Sequence, residues 1–138
     1  MANALYTTLK NNMLTGAATA VDFDAPDDIR VILVDTADYT VNLATHDFLD
    51  DVPGAARVAV SGNISTTVSG NVVDGSDVTF SAVTGDPSEA LVIYKHTGVE
   101  GTSRLIAYID TATGLPVTPN GGDITVTWDN GANKIFAL

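Results

Sequence analysis

Hydrophobic positions change their spacing along the chain, which divides it into a short helical start and a long β-rich remainder. Near the N-terminus apolar residues recur at intervals of four: Leu5, Leu9 and Met13, with Tyr6 and Leu14 beside them. This spacing predicts one helix, with Asn3 as N-cap and Gly16 as stop. Such a helix either packs on a sheet or forms an arm that docks on another chain.

The next apolar run is continuous rather than periodic. Ile29–Asp35 contains four consecutive branched residues, which is typical of a strand covered on both faces, and we therefore expect it near the centre of a sheet. Asp38–Val41 is a short extended piece. Residues 45–51 are predicted to form one helical turn, with Thr45 as N-cap and Pro53-Gly54 as its end.

From Ala55 onward, short strands alternate with turn signals. The predicted strands are Arg57–Val60, Ile64–Val68, Val72–Val73, Val78–Val83, Leu91–Lys95, Arg104–Asp110, Ile124–Trp128 and Lys134–Leu138. Asn130-Gly131 favours a tight hairpin that would pair the last two of these strands. The fold class predicted is mainly β: a β-sandwich or small barrel of about eight or nine strands with one short N-terminal helix.

Two predicted strands are apolar on both faces. Leu91–Tyr94 and Leu105–Ile109 carry no polar alternation, so both of their faces should be covered. One helix does not readily cover a whole sheet. The remaining surface is either a thicker monomer core or a subunit interface, and these alternatives stay open at this point.

Length and composition indicate one domain, 1–138, in which residues 1–28 form the helix or arm and an acidic linker (Thr15–Pro26). Lys and Arg total 6 against 17 Asp and Glu, a net charge of −11. This charge argues against nucleic-acid and membrane-surface partners. The chain has no cysteine, which excludes disulfides and thiolate metal sites. No apolar stretch is long enough for a signal peptide or membrane span.

Candidate metal ligands are scattered. His46 and His96 lie fifty positions apart without metal-ligand spacing, and we expect both at the surface. The segment Asp22–Asp28 is the densest acidic stretch, but an EF-hand loop counted from Asp22 would need Gly and Glu where Asp27 and Leu33 stand. A solvated linker is therefore favoured over a calcium site. We predict no catalytic, cofactor-binding or metal-binding residue and no cofactor.

Nothing in the sequence points to an enzyme. No nucleophile elbow, phosphate-binding loop or dinucleotide fingerprint is present. A sugar-binding platform would need exposed aromatic rings, whereas Trp128 is in phase with the core residues Ile124 and Val126. Tyr94 and Tyr108 are expected in a second packed face.

Several long phrases nevertheless resemble a known family. They are MANALY at the start, IRVILVDTADYTVNLATHDFLDDV, DVTFSAVTGDPSEALVIYK, and LIAYIDTATGLPVTPNGGDITVTWDNGANKIFAL at the end. Together they resemble a widespread family of small structural proteins encoded among the virion genes of tailed bacteriophages. The chain departs from that pattern at Ala17–Asp28, which is longer and more acidic, and at His96, where an acidic residue is expected.

The resemblance implies a non-enzymatic virion protein, made in the host bacterial cytoplasm and located on the capsid surface. Within the family we favour a capsid decoration, or cement, protein that binds the major capsid protein lattice as a homo-oligomer, expected to be a homotrimer. The alternatives are a tail, baseplate or fibre-associated protein and a carbohydrate-binding β-sandwich for host attachment. Neither nucleic acid nor membrane is an expected partner.

Overall fold

The computed structural model describes residues 3–16, 20–24 and 27–138. Within them the chain forms one helix, α1 (Thr7–Thr15), and ten strands. The strands are β1 (Ala4–Leu5), β2 (Ile29–Val34), β3 (Arg57–Val60), β4 (Thr67–Ser69), β5 (Val72–Asp74), β6 (Val78–Phe80), β7 (Ala90–Lys95), β8 (Leu105–Ile109), β9 (Ile124–Val126) and β10 (Phe136–Ala137). Three 3-10 turns cover Leu49–Asp51, Gly54–Ala56 and Glu100–Thr102.

The main sheet has five antiparallel strands in the order β1-β8-β7-β2-β3. The continuous apolar run of β2 lies inside this sheet, between β7 and β3, as its composition predicts. The register places Val31 opposite Ile93 and Leu33 opposite Leu91. All four of these side chains are buried.

Two smaller sheets complete the fold. One has the order β10-β5-β4, and the other pairs β6 with β9. Their inward side chains join those of the main sheet in one hydrophobic cluster, which includes Val73, Val78, Phe80 and Val126. The prediction of a mainly β fold is confirmed. Over the described residues the strands form open, sandwich-like sheets and not a closed barrel.

Helix α1 packs on the sheet. Tyr6 and Leu9 are fully buried, whereas Leu14 is 87% exposed. Only part of the apolar stripe therefore faces the core. Gly16 ends the helix with a φ of 61°, as predicted. Asn3 is not the N-cap: its side chain accepts hydrogen bonds from the amides of residues 110 and 111, because Leu5 lies in β1 and the helix begins later.

The predicted hairpin around Asn130-Gly131 does not form. Strand β10 pairs with β5, with Phe136 opposite Val73, and β9 pairs with β6. Neither Asn130 nor Gly131 has the positive φ that a type I′ turn requires. Instead the Gly131 amide donates to the Asp129 carboxylate, a local turn that sends the chain away from β9.

Several predicted boundaries are also wrong. Thr45 is not a cap, because the 3-10 turn begins only at Leu49, after Phe48. Strand β6 ends at Phe80 because Ala82 adopts a φ of 49°, which breaks the extended backbone. Strand β4 begins three residues after its predicted start, and β9 ends two residues before its predicted end. Strands β8 and β10 are also shorter than predicted.

The linker prediction is corrected in part. Phe23 is buried and packs edge-on against Phe136, with ring centroids 5.4 Å apart. The described part of the segment therefore docks on the core. Positions 17–19 and 25–26 of the predicted linker lie outside the described residues.

The strands that are apolar on both faces are covered within one chain. Residues 91–94 and 105–108 are all at most 4% exposed. One chain therefore covers these positions, as a thicker monomer core requires, whereas Ile109 at the end of β8 is only half-buried.

Candidate functional site

A cleft of about 310 Å³ opens on one face of the main sheet, beside its edge strand β3. We call it the β3 cleft. Strands β2 and β7 supply its floor, β3 supplies one wall, and the chain around the third 3-10 turn supplies the other. Its lining residues are Arg30, Ile32, Leu49, Arg57, Val60, Tyr94, His96, Gly98, Val99, Glu100 and Ser103.

Two ion pairs frame the β3 cleft. Arg30 donates to both carboxylate oxygens of Asp28, at 3.0 and 2.8 Å, and Arg57 donates to Glu100 at 2.6 Å. These hydrogen bonds hold the pKa of Asp28 and that of Glu100 below their ordinary values. The arginines are thus largely occupied by internal partners.

The remaining donors of Arg57 bind main-chain oxygens. Its Nε and Nη2 atoms donate to the carbonyl of Val52, and Nη2 also donates to that of Leu49. This arginine therefore fastens the 3-10 turns to strand β3. Its guanidinium is a structural clamp at the wall of the cleft.

We expected both histidines at the surface, but each of them is half-buried. His46 accepts hydrogen bonds at Nδ1 from the Tyr39 hydroxyl, at 2.9 Å, and from the Asn42 amide, at 3.3 Å. Tyr39 is in turn hydrogen-bonded to the buried Tyr6 hydroxyl at 2.9 Å. Burial raises the pKa of Tyr39 to about 12. His96 lies in the β3 cleft, edge-on to Tyr94.

The carboxylates of Asp22–Asp28 act on the protein's own backbone. Asp22 accepts from the Asp24 amide, Asp27 accepts from the Asp22 amide, and Asp24 accepts from the amide of Val68 on β4. Asp27 also lies 3.0 Å from the Lys95 ammonium. Among the described residues of this segment, the carboxylates do not form a group of three that could hold a metal ion.

A different acidic cluster was missed by the sequence reasoning. One carboxylate oxygen each from Asp35, Asp38 and Asp86 lie within 4.8 Å of one another, the single such group among the described residues. The register between β2 and β7 brings these three residues together, because Val34 pairs with Ala90 and the loop after β2 therefore meets the loop before β7. Hard cations prefer such oxygens. However, Asp35 already accepts from the Ala37 amide, and we assign no ion to the cluster.

The aromatic side chains do not form a sugar platform. All four tyrosines and the single tryptophan are buried, with Trp128 the most exposed of them at 8%. The indole N–H of Trp128 donates to the Ser76 carbonyl at 2.9 Å. The prediction that Trp128, Tyr94 and Tyr108 belong to the core is confirmed.

No helix in the described ranges is both long and apolar enough to cross a membrane. Comparison of the sequence with protein-family models and with curated proteins found no match.

Proposed function

We propose that this chain is a non-enzymatic structural protein of a tailed-phage virion, and that it acts as a decoration protein on the outer capsid lattice. The observation that carries the proposal is the resemblance of four long sequence phrases to that family. Those phrases lie over strands of all three sheets: β1, β2, β6, β7, β8, β9 and β10. The resemblance thus extends over the framework of the fold and not one local motif.

The use of polar groups supports a binding role over a chemical one. In the β3 cleft, Arg57 and Arg30 are engaged with carboxylates, and the Ser103 hydroxyl donates to the Val99 carbonyl at 2.9 Å. A nucleophile would instead need a neighbouring base to accept its proton, and a general base would need access to a proton of the substrate. These side chains stabilise loops, as expected of a protein that binds by shape.

Host attachment through carbohydrate is the weaker candidate. Sugar-binding sites stack rings of the ligand on exposed aromatic faces, and the tyrosines and the tryptophan of this chain are buried. A tail, baseplate or fibre location remains the alternative within the virion. It differs from decoration in the number of copies that a particle needs.

The proposed partners are the major capsid protein and further copies of the chain, in a homotrimer. Three copies would carry three times the charge of −11, so their assembly must rest on apolar contact and on salt that screens repulsion. Sedimentation velocity at low and at physiological salt tests this assembly. A trimer that dissociates at low salt supports the proposed homotrimer, and a monomer at every concentration contradicts it.

The test of the function is the copy number in purified virions of the phage that encodes the chain, measured by quantitative mass spectrometry against the major capsid protein. Decoration predicts hundreds of copies per particle. A few copies would indicate the tail or baseplate. Absence from purified virions would overturn the virion proposal altogether.

A further inference from the structure

Strand β3 presents an unpaired backbone edge beside the cleft. It is the last strand of the main sheet and pairs only with β2. The Ser61 amide donates to the Val31 carbonyl at 2.9 Å, so the main chain of Ser61 faces β2. Because neighbouring residues alternate in direction, the amide and carbonyl of Val60, opposite Ile32, point away from the sheet.

This edge lacks the protection found on β4. There, the outward Val68 amide donates to the Asp24 carboxylate at 3.1 Å. Among the described residues, the backbone hydrogen bonds outside the strand ladders include none from Val60. Edge strands with unpaired backbone amides and carbonyls are templates for pairing with another extended chain.

Apolar side chains stand directly beside the open edge. Val60 is 46% exposed and Val99 is 61% exposed, and both line the β3 cleft. Alternate residues of a strand added to β3 would project on the cleft side of the sheet. The cleft, at about 310 Å³, can therefore accept an aliphatic side chain between these two valines.

Charge distinguishes the possible occupants. The two arginines of the cleft balance Asp28 and Glu100, so this region is locally neutral on a chain of net charge −11. A second copy would bring another −11 to the same edge, a repulsion that apolar contact and screening salt would have to offset. An anionic segment would likewise meet a chain of the same sign of charge. A neutral or basic extended segment meets no such repulsion.

We propose that strand β3 and its cleft bind an extended segment of a partner protein, which adds a strand to the main sheet and inserts an aliphatic side chain between Val60 and Val99. The segment is neutral or basic. This inference rests on the proposed function, in which the partner is the major capsid protein of the lattice.

The first test is photo-crosslinking within purified virions. Benzoylphenylalanine is introduced at Val99, which lies in a loop, and at Leu14 as the matched control, an exposed apolar position on α1. After irradiation, mass spectrometry of purified particles should map crosslinks from position 99 to one extended segment of the major capsid protein, with none from position 14. Failure of position 99 to crosslink in virions that contain the protein overturns the proposal.

The second test removes the outward amide. Val60→Pro deletes the N–H that would pair with the added strand, and proline is tolerated where that N–H faces solvent. Val60→Thr keeps the amide and the branched shape. We expect V60P to reduce copies per virion at least several-fold and V60T to leave them near wild type. Should V60P fail to fold, Val60→Lys takes its place, because an edge lysine blocks strand addition.

The outcomes separate the two proposals. Wild-type incorporation of folded V60P or V60K overturns docking at the β3 edge while the virion role stands. Absence of the wild-type protein from purified virions overturns the virion role, and it then also contradicts docking on the capsid.

Discussion

At the scale of single residues, several polar side chains hold segments of the chain together. Asp24 holds the edge of β4, Arg57 binds two carbonyls of the preceding turns, and Glu89 accepts hydrogen bonds from the amide and hydroxyl of Thr36. Each such bond contributes about 1 kcal/mol, and more when it leaves a buried partner unsatisfied on removal. Some of the many acidic side chains therefore hold loops in place.

Trp128→Ala should destabilise the protein by about 3–5 kcal/mol, because it removes a buried indole and leaves the Ser76 carbonyl without its donor. Urea unfolding measures the change. Thr127→Ala, at the exposed neighbouring position, is the control and should be near neutral. An unchanged stability of W128A, together with loss of glycan binding, would restore the host-attachment alternative.

Asp28 should contribute to the acid sensitivity of the fold. Hydrogen bonds from Arg30 lower its pKa in the folded protein, so its stabilising effect is complete above the unfolded value, near 4. That effect is lost as the pH falls through the lower folded pKa. Both partners are about one-third exposed, which limits the contribution to the 0.2–1 kcal/mol, roughly, of surface pairs.

The comparison is urea unfolding of wild type and Asp28→Asn between pH 7 and 3. The stability difference should be present at neutral pH and shrink toward the acid end. Asp50→Asn removes the same charge at another exposed site and serves as the control. Parallel profiles for D28N and wild type would contradict the role assigned to the ion pair.

At the scale of elements, helix α1 offers a matched pair of leucines. Leu9 is fully buried and Leu14 is 87% exposed, within one helix. Leu9→Ala should cost about 2–5 kcal/mol through loss of packing, and Leu14→Ala should change stability little. Thermal or urea unfolding of both variants checks this. Equal effects would mean that the helix is an arm and does not dock on the sheet in solution.

Sequence reasoning located the elements that rest on local pattern. The continuous run of β2 and the αL stop at Gly16 follow from side-chain pattern and backbone sterics alone. Sequence reasoning did not predict pairings between strands that are distant along the chain, namely β10 with β5 and β1 with β8. Such pairings depend on packing between segments, which a local turn preference at Asn130-Gly131 does not decide.

The same distinction applies to the candidate sites. Pattern alone placed Trp128 in the core. The β3 cleft and the cluster of Asp35, Asp38 and Asp86 arise where loops from paired strands meet. The register between β2 and β7 brings the three carboxylates together, and the pairing of β3 with β2 places one wall of the cleft. Composition carries no signal of either pairing.

At the scale of the whole molecule, one chain completes its own core. Side chains from all three sheets join a single hydrophobic cluster, and the central strands β7 and β8 are largely covered on both faces within the protomer. Contact through the edges and loops of the main sheet, such as the β3 cleft, leaves this core intact. That form of contact is weak in each copy and gains strength from repetition on a lattice.

Metal should not stabilise the whole fold. Thermal melts in EDTA and in added Ca²⁺, at matched ionic strength, should superimpose, because Asp35 is already engaged by a backbone amide and the carboxylates of Asp22–Asp28 anchor the chain. A gain of several degrees with Ca²⁺ would contradict this. Its loss in Asp86→Asn would assign the ion to the cluster of three carboxylates, and its loss in Asp24→Asn would assign it to the acidic segment.

The pairing of β1 with β8 constrains the order in which the protein folds. Ala4 lies opposite Tyr108, so β1 finds its partner only after all the residues between the two strands have been synthesised. Helix α1, which follows β1 directly, likewise has no completed sheet to dock on until then. Long-range antiparallel pairing of this kind is slow. Folding should therefore end, rather than begin, with the N-terminal segment, as the last piece to lock onto a preformed sheet.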